Sequence, residues 1–134
     1  MTLADFPDDW SLAALCVWRE ARGEPYAGKL AVAFSIRNRV NKPRWWGHDW
    51  RSVILKPFQY SSFNVNDPNS KLFPGVDDKA WQECLAAVGA VMSGRLEDNT
   101  GGATHYCTLD SNPPWWATAT PTVVIGNHKF AISN

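Results

Sequence analysis

The stretch WSLAALCVWREARGEPYAGKLAVAFSIRNRVN, residues 10–41, decides the fold. Its first half carries Trp10, Ala14, Val17, Trp18 and Ala21 on one helical stripe, while Leu12, Leu15 and Cys16 cover the opposite side. A helix apolar nearly all round is a buried one. Competent caps stand at residues 9–11 and a stop at Gly23. Pro25 opens a second helix, which runs to about Asn41 and is closed by Pro43. Its Leu30, Val32, Ala33, Phe34, Ile36 and Val40 again cover more than one face. Two successive helices that both demand burial predict a helical core.

Downstream, a short helix is expected over 49–55, followed by an irregular polar stretch over 56–74. The clearest amphipathic pattern is 77–94, where Ala80, Trp81, Cys84, Leu85, Val88 and Met92 recur at helical spacing between the caps Asp77 and Asp78 and the stop Gly94. Beyond a turn at Thr100-Gly101-Gly102 the character changes. His105, Tyr106 and Cys107 read as strand, and 122–125 and 128–132 flank Gly126-Asn127, a hairpin signal. The predicted class is α+β: a helical core with a small β-hairpin flap. The 134 residues contain no repeat or linker, so residues 1–134 read as a single domain.

Composition removes several functions. A hydrophobic fraction of 45% with zero net charge excludes a disordered chain. No apolar run approaches the roughly 20 residues of a membrane-spanning helix, so no stable membrane insertion is expected. The acidic amino terminus lacks the basic and apolar regions of a secretory signal, which points to synthesis in the cytoplasm. Cys16, Cys84 and Cys107 are odd in number and without metal-type spacing; they read as thiols, not disulfides. The zero net charge hides a segregation: residues 19–56 hold nine basic residues against Glu20, Glu24 and Asp49. Such a segment suits an anionic polymer such as nucleic acid, an acidic glycan or a cell wall, unless Arg37 and Arg39 are simply the wet face of a helix. Of the eight tryptophans, Trp10, Trp18 and Trp81 fall on helical stripes and read as core. Trp45, Trp46, Trp50, Trp115 and Trp116 fall in loops or at their margins, either as platforms for sugar rings or as loop anchors.

The segment Arg19-Glu20-Ala21-Arg22-Gly23-Glu24 carries the most telling chemistry. Glu20 sits in the last turn of a buried helix. Burial, the negative end of the helix dipole and Glu24 one turn on favour its protonated form; Arg19 and Arg22 oppose this where they reach it. A carboxylic acid held protonated is what a general acid for acetal cleavage needs. The bland alternative is a solvated helix-end residue paired with arginine. Most glycosidases use two carboxylates, and Asp49, Asp67, Asp98 and Asp110 are candidates for the second, none fixed near Glu20 by spacing. The three histidines, His48, His105 and His128, form no metal-ligand spacing, and neither a metal nor a cofactor is expected. Cys107 lies two residues from His105, on the same face of a strand, which leaves a thiol hydrolase open. Arg44-Trp45-Trp46 is the single basic-aromatic cluster, and no nucleic-acid partner is expected from it.

These residues resemble a known family. Glu20-Ala21-Arg22-Gly23-Glu24-Pro25-Tyr26 with Gly28, then Ala31-Val32-Ala33 and Asn38-Arg39-Val40, is similar to the opening of the SleB/CwlJ cell-wall hydrolase domain. Val53-Ile54 with Gln59-Tyr60-Ser61, then Asp98, Thr100-Gly101-Gly102-Ala103 and His105-Tyr106, then Trp116 and Ile125-Gly126-Asn127-His128 with Phe130, follow in the family's order. Tyr60 stands for the usual Phe, and Ser62 where a Cys often follows the serine.

The resemblance implies a lysozyme-like, transglycosylase-like fold and a hydrolase of peptidoglycan glycan strands, with the catalytic glutamate at Glu20. It implies a groove lined by Gln59, Ser61 and Tyr106. Glu24, Phe63, Thr100, His105, Trp115, Trp116 and His128, in or beside the same blocks, complete the expected substrate-binding set. With one glutamate, the expected reaction is a lytic transglycosylase cleavage that leaves a 1,6-anhydro end. A hydrolytic muramidase, an amidase and a non-catalytic tryptophan-rich glycan-binding module stay open. The expected setting is a bacteriophage lysis enzyme, a monomer made in the host cytoplasm and released onto the wall.

Overall fold

The computed structural model describes residues 1–134. Four helices, α1 (Asp9–Ala21), α2 (Tyr26–Asn41), α3 (Trp50–Ile54) and α4 (Lys79–Met92), precede three strands, β1 (His105–Thr108), β2 (Thr120–Ile125) and β3 (His128–Ile132). The class is α+β, helix-rich with a small antiparallel sheet.

Helix α1 is the axis of the core. Leu12 to Val17 are fully enclosed, and α1 packs against α2, α3 and α4. The side chain of Asp8 accepts from the Ser11 amide and caps its start. The helix ends at Ala21, two residues before the expected stop at Gly23. Pro25 then takes the N-cap position of α2. That corner needs a glycine one turn into α2: a Cβ on Gly28 would lie 2.9 Å from Glu24 Cβ, so only the bare backbone lets α2 close over Glu24. Asp78 caps α4, which starts two residues later than the pattern suggests.

The hairpin forms where Gly126-Asn127 predicts it, with Ile125 facing His128 across a two-residue turn and Gly126 at φ +59°. The flap is larger than expected. β1 pairs antiparallel with β3, so β3 is the centre of a three-stranded sheet in the order β1-β3-β2. Pro121 stands at a register shift in the edge strand β2, the kind of position that tolerates a residue without an N–H. Phe130 and Ala131 of β3 are buried, and Phe130 joins the helical core.

The structure corrects the core placement of Trp10 and the wet-face reading of Arg39, and of the two readings for Trp46 it bears out the loop anchor. Trp10 is 48% exposed and uses its indole N–H to reach the Leu85 carbonyl at 2.8 Å, so it seals the rim of the α1/α4 contact instead of filling it. Trp46 is 1% exposed and is one of the largest core side chains, donating from Nε1 to the Arg39 carbonyl at 3.0 Å. Arg39 is no wet face: it is buried, its Nε donates to the Thr104 carbonyl at 2.6 Å, and its guanidinium lies over the Trp46 and Tyr60 rings. Trp50 opens α3 and is half-buried against the core. Cys16, Cys84 and Cys107 are free thiols. Burial holds the Cys16 thiol well above its ordinary range and pushes Cys84 up to about 12.

Candidate active site

The irregular stretch 56–74 becomes ordered because one arginine organises it. Arg19 donates from Nε to the Leu72 carbonyl at 3.1 Å and from Nη2 to the Ser70 carbonyl at 3.0 Å. Its guanidinium sits between the Phe63 and Phe73 rings, 4.7 and 4.8 Å from their centroids. Arg22 turns to its own helix and to Asn69 Oδ1 at 3.1 Å. Both arginines beside Glu20 in sequence are thus used to hold the loop, and neither pairs with Glu20.

The loop so held and the sheet form two walls of a cleft of about 710 Å³. Glu20 reaches it from the last turn of α1, half-buried. One hydrogen bond meets its carboxyl: the Tyr106 hydroxyl donates to Oε1 at 2.6 Å. Burial, then the facing Glu20 carboxylate, pushes the Tyr106 phenol well above its ordinary range, so it stays a donor. The Tyr106 ring is packed by His128 at 5.2 Å and Phe130 at 5.6 Å between centroids, both from β3. Glu20 is the one acidic side chain on the cleft surface. The other carboxylates considered from sequence are occupied elsewhere: Asp49 caps α3, Asp67 accepts from the Asn69 amide, Asp98 is tied to Thr100 and Asn38, and Asp110 accepts from Thr108.

Among the residues expected to bind substrate, the structure brings Gln59, Ser61, His105, Tyr106, Trp115 and His128 to the cleft with Glu20. Gln59 is aimed by Arg39, whose Nη1 donates to its Oε1 at 3.3 Å. His105 is held neutral at ordinary pH: burial, then the Arg39 charge, takes it down to about 4. Trp115 lies against the His105 ring, 4.9 Å between centroids.

Four others lie elsewhere. Phe63 packs under Arg19 and faces a neighbouring groove. Thr100 is fully buried; its hydroxyl donates to Asp98 Oδ1 at 2.6 Å and accepts from the Ala103 amide, which shapes the turn before β1. Burial of Asp98 is outweighed by the hydrogen bonds from Thr100, Asn38 and the Gly102 amide, and its carboxyl sits below the usual range. Trp116 packs edge-on to Trp115 beneath the Lys129 ammonium, off the cleft surface.

Glu24, the fourth, is 7% exposed and turned inward. Its Oε1 accepts from the Asn127 amide at 2.8 Å and its Oε2 from Asn127 Nδ2 at 2.9 Å, and His128 Nδ1 lies 3.0 Å from Oε1. It ties the α1–α2 corner to the hairpin turn.

Arg39, Phe58 and Asn69 also line the cleft and fall outside the substrate-binding set expected from sequence. For Arg39 a signal was present: a charged side chain on a helix apolar on more than one face has little solvent to reach. Of the loop tryptophans, Trp45 and Trp115 face the cleft. The thiol reading finds no support in geometry, because Cys107 leans toward the Ser111 carbonyl and burial raises its pKa, while His105 Nδ1 meets Thr104 Oγ1 at 2.9 Å. No three His, Cys, Asp or Glu side chains converge into a metal-type cluster.

A family model described as "Cell Wall Hydrolase" matches residues 23–131. The chain belongs to the cell wall hydrolase family. Among solved structures it is similar to the catalytic domain of the germination-specific lytic transglycosylase SleB from Bacillus anthracis, which is 31% identical, with a TM-score of 0.74 over 92% of this chain and 93% of that one. The catalytic domain of the Bacillus cereus SleB protein gives 32% identity and a TM-score of 0.72, over 92% and 88% of the two chains. A spore cortex-lytic enzyme of Halalkalibacterium halodurans is 35% identical over 124 residues. The chain spans about a third of that relative's length, 34%. These relatives are spore enzymes, and they give no support to the bacteriophage origin expected from the amino terminus.

Proposed function

We propose that this cell wall hydrolase domain is a lytic transglycosylase that cleaves the β-1,4 bond between N-acetylmuramic acid and N-acetylglucosamine. The observation that carries the reading is the isolation of Glu20: one carboxyl on the cleft surface, with one donor, on one oxygen. Tyr106 occupies Oε1, which leaves Oε2 to carry the proton. Glu20 gives that proton to the glycosidic oxygen as the bond from the anomeric carbon breaks. The resulting carboxylate then takes the proton of the muramyl 6-hydroxyl as its oxygen closes on the anomeric carbon. A 1,6-anhydro ring forms, the acid is regenerated, and no water is consumed. A hydrolase of the two-carboxylate kind needs a second carboxyl about 5–10 Å away to act as nucleophile or to activate water. The cleft offers no such side chain. Gln59, held by Arg39, and Tyr106 orient the muramyl unit, with Trp45 and Trp115 as apolar faces for flanking rings.

The printed description of the Bacillus anthracis domain, a lytic transglycosylase, supports the same reaction. On this reading the partner is the glycan strand, met by a single copy of the chain outside the cytoplasmic membrane.

Digestion of purified sacculi, followed by mass spectrometry of the muropeptides, tests the reading. Anhydro ends that vanish in Glu20→Gln are the expected result. Reducing ends would make the enzyme a hydrolytic muramidase. Free amino groups without new sugar ends would make it an amidase, and binding without any cleavage would make the domain a glycan-binding module.

A further inference from the structure

Beside the cleft lies a second groove of about 370 Å³, and Phe58 belongs to the walls of both. Phe58 closes a tight turn: the Gln59 amide donates to the Lys56 carbonyl at 3.1 Å, Pro57 takes the second position and Phe58 the third, at φ +65°. That position of such a turn asks for glycine or asparagine, and it is the one non-glycine residue of the chain with positive φ. A bulky ring is held there against backbone preference, and it is 84% exposed, so it fills no core. The turn also sets Gln59, one of the residues facing Glu20.

The groove beyond the ring has apolar walls from Leu55, Phe63 and the 87% exposed Val65, amides from Asn64 and Asn66, and the exposed Lys56. It contains no acidic side chain, and Lys56 makes no salt bridge. A polymer strand in the cleft would therefore meet, at Phe58, a side branch site suited to small apolar groups and carboxylates. The stem peptide that hangs from the lactyl group of a muramyl sugar has this chemistry: short, rich in alanine, and acidic.

We propose that this groove binds the stem peptide of a muramyl residue held in the cleft, with Phe58 as the threshold and Lys56 as the carboxylate partner. The inference rests on the glycan-cleaving reading above. It makes the domain selective for peptide-bearing strands over bare glycan.

The test compares kcat/KM on glycan strands carrying their peptides with that on strands of equal length stripped by an amidase. The wild-type chain is expected to prefer the peptide-bearing strand by about tenfold, the scale of one pocket contact. Lys56→Glu and Phe58→Gly are each expected to bring the ratio toward one. Phe58→Gly also relieves the strained turn, so its melting temperature is expected at or above that of wild type while selectivity falls. A structural ring would behave oppositely, with melting temperature falling and the ratio retained, and that result overturns the proposal. Equal turnover of both strands by the wild type, or a preference that survives both substitutions, overturns it as well while leaving glycan cleavage intact. Failure of the wild type to cut glycosidic bonds in either strand overturns the reading on which it rests.

Discussion

Glu20 and Glu24 are four residues apart, yet their surroundings assign them opposite work. Glu24 is buried with both carboxyl oxygens engaged, by the Asn127 amide and side chain and by His128. A carboxyl group whose oxygens are engaged in this way is fixed in place and holds the corner together. Glu20 has one donor on one oxygen and an open cleft beyond the other. The two are also linked. Glu24 grips the hairpin turn, the hairpin carries His128 and Phe130, and those rings pack the tyrosine that holds Glu20. The difference teaches that the fold uses one glutamate to place the other.

The largest effect expected from breaking this pair is on activity. Glu20→Gln should lower peptidoglycan cleavage by about 10²- to 10⁴-fold, the contribution of a positioned general acid, with thermal melting unchanged. Turbidity loss of purified sacculi and a melting curve check both halves. Next in size is Glu24→Ala, which leaves the Asn127 amide and side chain without their acceptor. Leaving a buried donor unsatisfied costs about 1–3 kcal/mol, and two are left here, so chemical denaturation should show a large loss of stability. Glu24→Ala protein that melts as wild type does would end the comparison.

Acid tests a third group, beside the two glutamates. His105 has its folded pKa lowered to about 4 from 6.5, so the unfolded chain binds more protons between those values. Its contribution to stability is full above pH 6.5 and is lost as pH falls from 6.5 to 4, on the order of 2–3 kcal/mol. His105→Gln should flatten that part of the stability–pH curve measured by denaturation. The smallest expected effect is Tyr106→Phe. The bond strengthens as Glu20 gives up its proton, and a hydrogen bond to the resulting charged carboxylate is worth about 1.5–3 kcal/mol, so kcat should fall about ten- to hundredfold with KM little changed. Steady-state kinetics on glycan strands read this directly.

Much of the scaffold is legible from local pattern. The all-round apolar coverage of residues 12–17 forces α1 into the core, and Gly126-Asn127 writes its own turn. Glu20 is legible too, as a carboxylate at the end of a buried helix. What local pattern leaves open is set by long-range contact. Trp45 and Trp46 are identical neighbours, but the chain curls through the Arg44–Gly47 bridge and puts one at 49% exposure and the other at 1%. β1 finds β3 across 20 to 26 positions of chain, which no periodicity announces. Arg19 and Arg22 read as partners of Glu20 because they adjoin it in sequence, yet carbonyls 43 to 53 positions away claim Arg19. Thr100 looks available in a glycine-rich turn, but Asp98 captures its hydroxyl within the turn itself.

On the function proposed above, a single carboxyl, placed by its neighbour, cleaves the glycan without water. Digestion of peptidoglycan in heavy-oxygen water, with mass spectrometry of the new muramyl ends, tests it most directly. Anhydro ends without heavy oxygen are the predicted result. Muramyl reducing ends that each carry one heavy oxygen would show the opposite, because water would then be the nucleophile and a second catalytic base would have to exist.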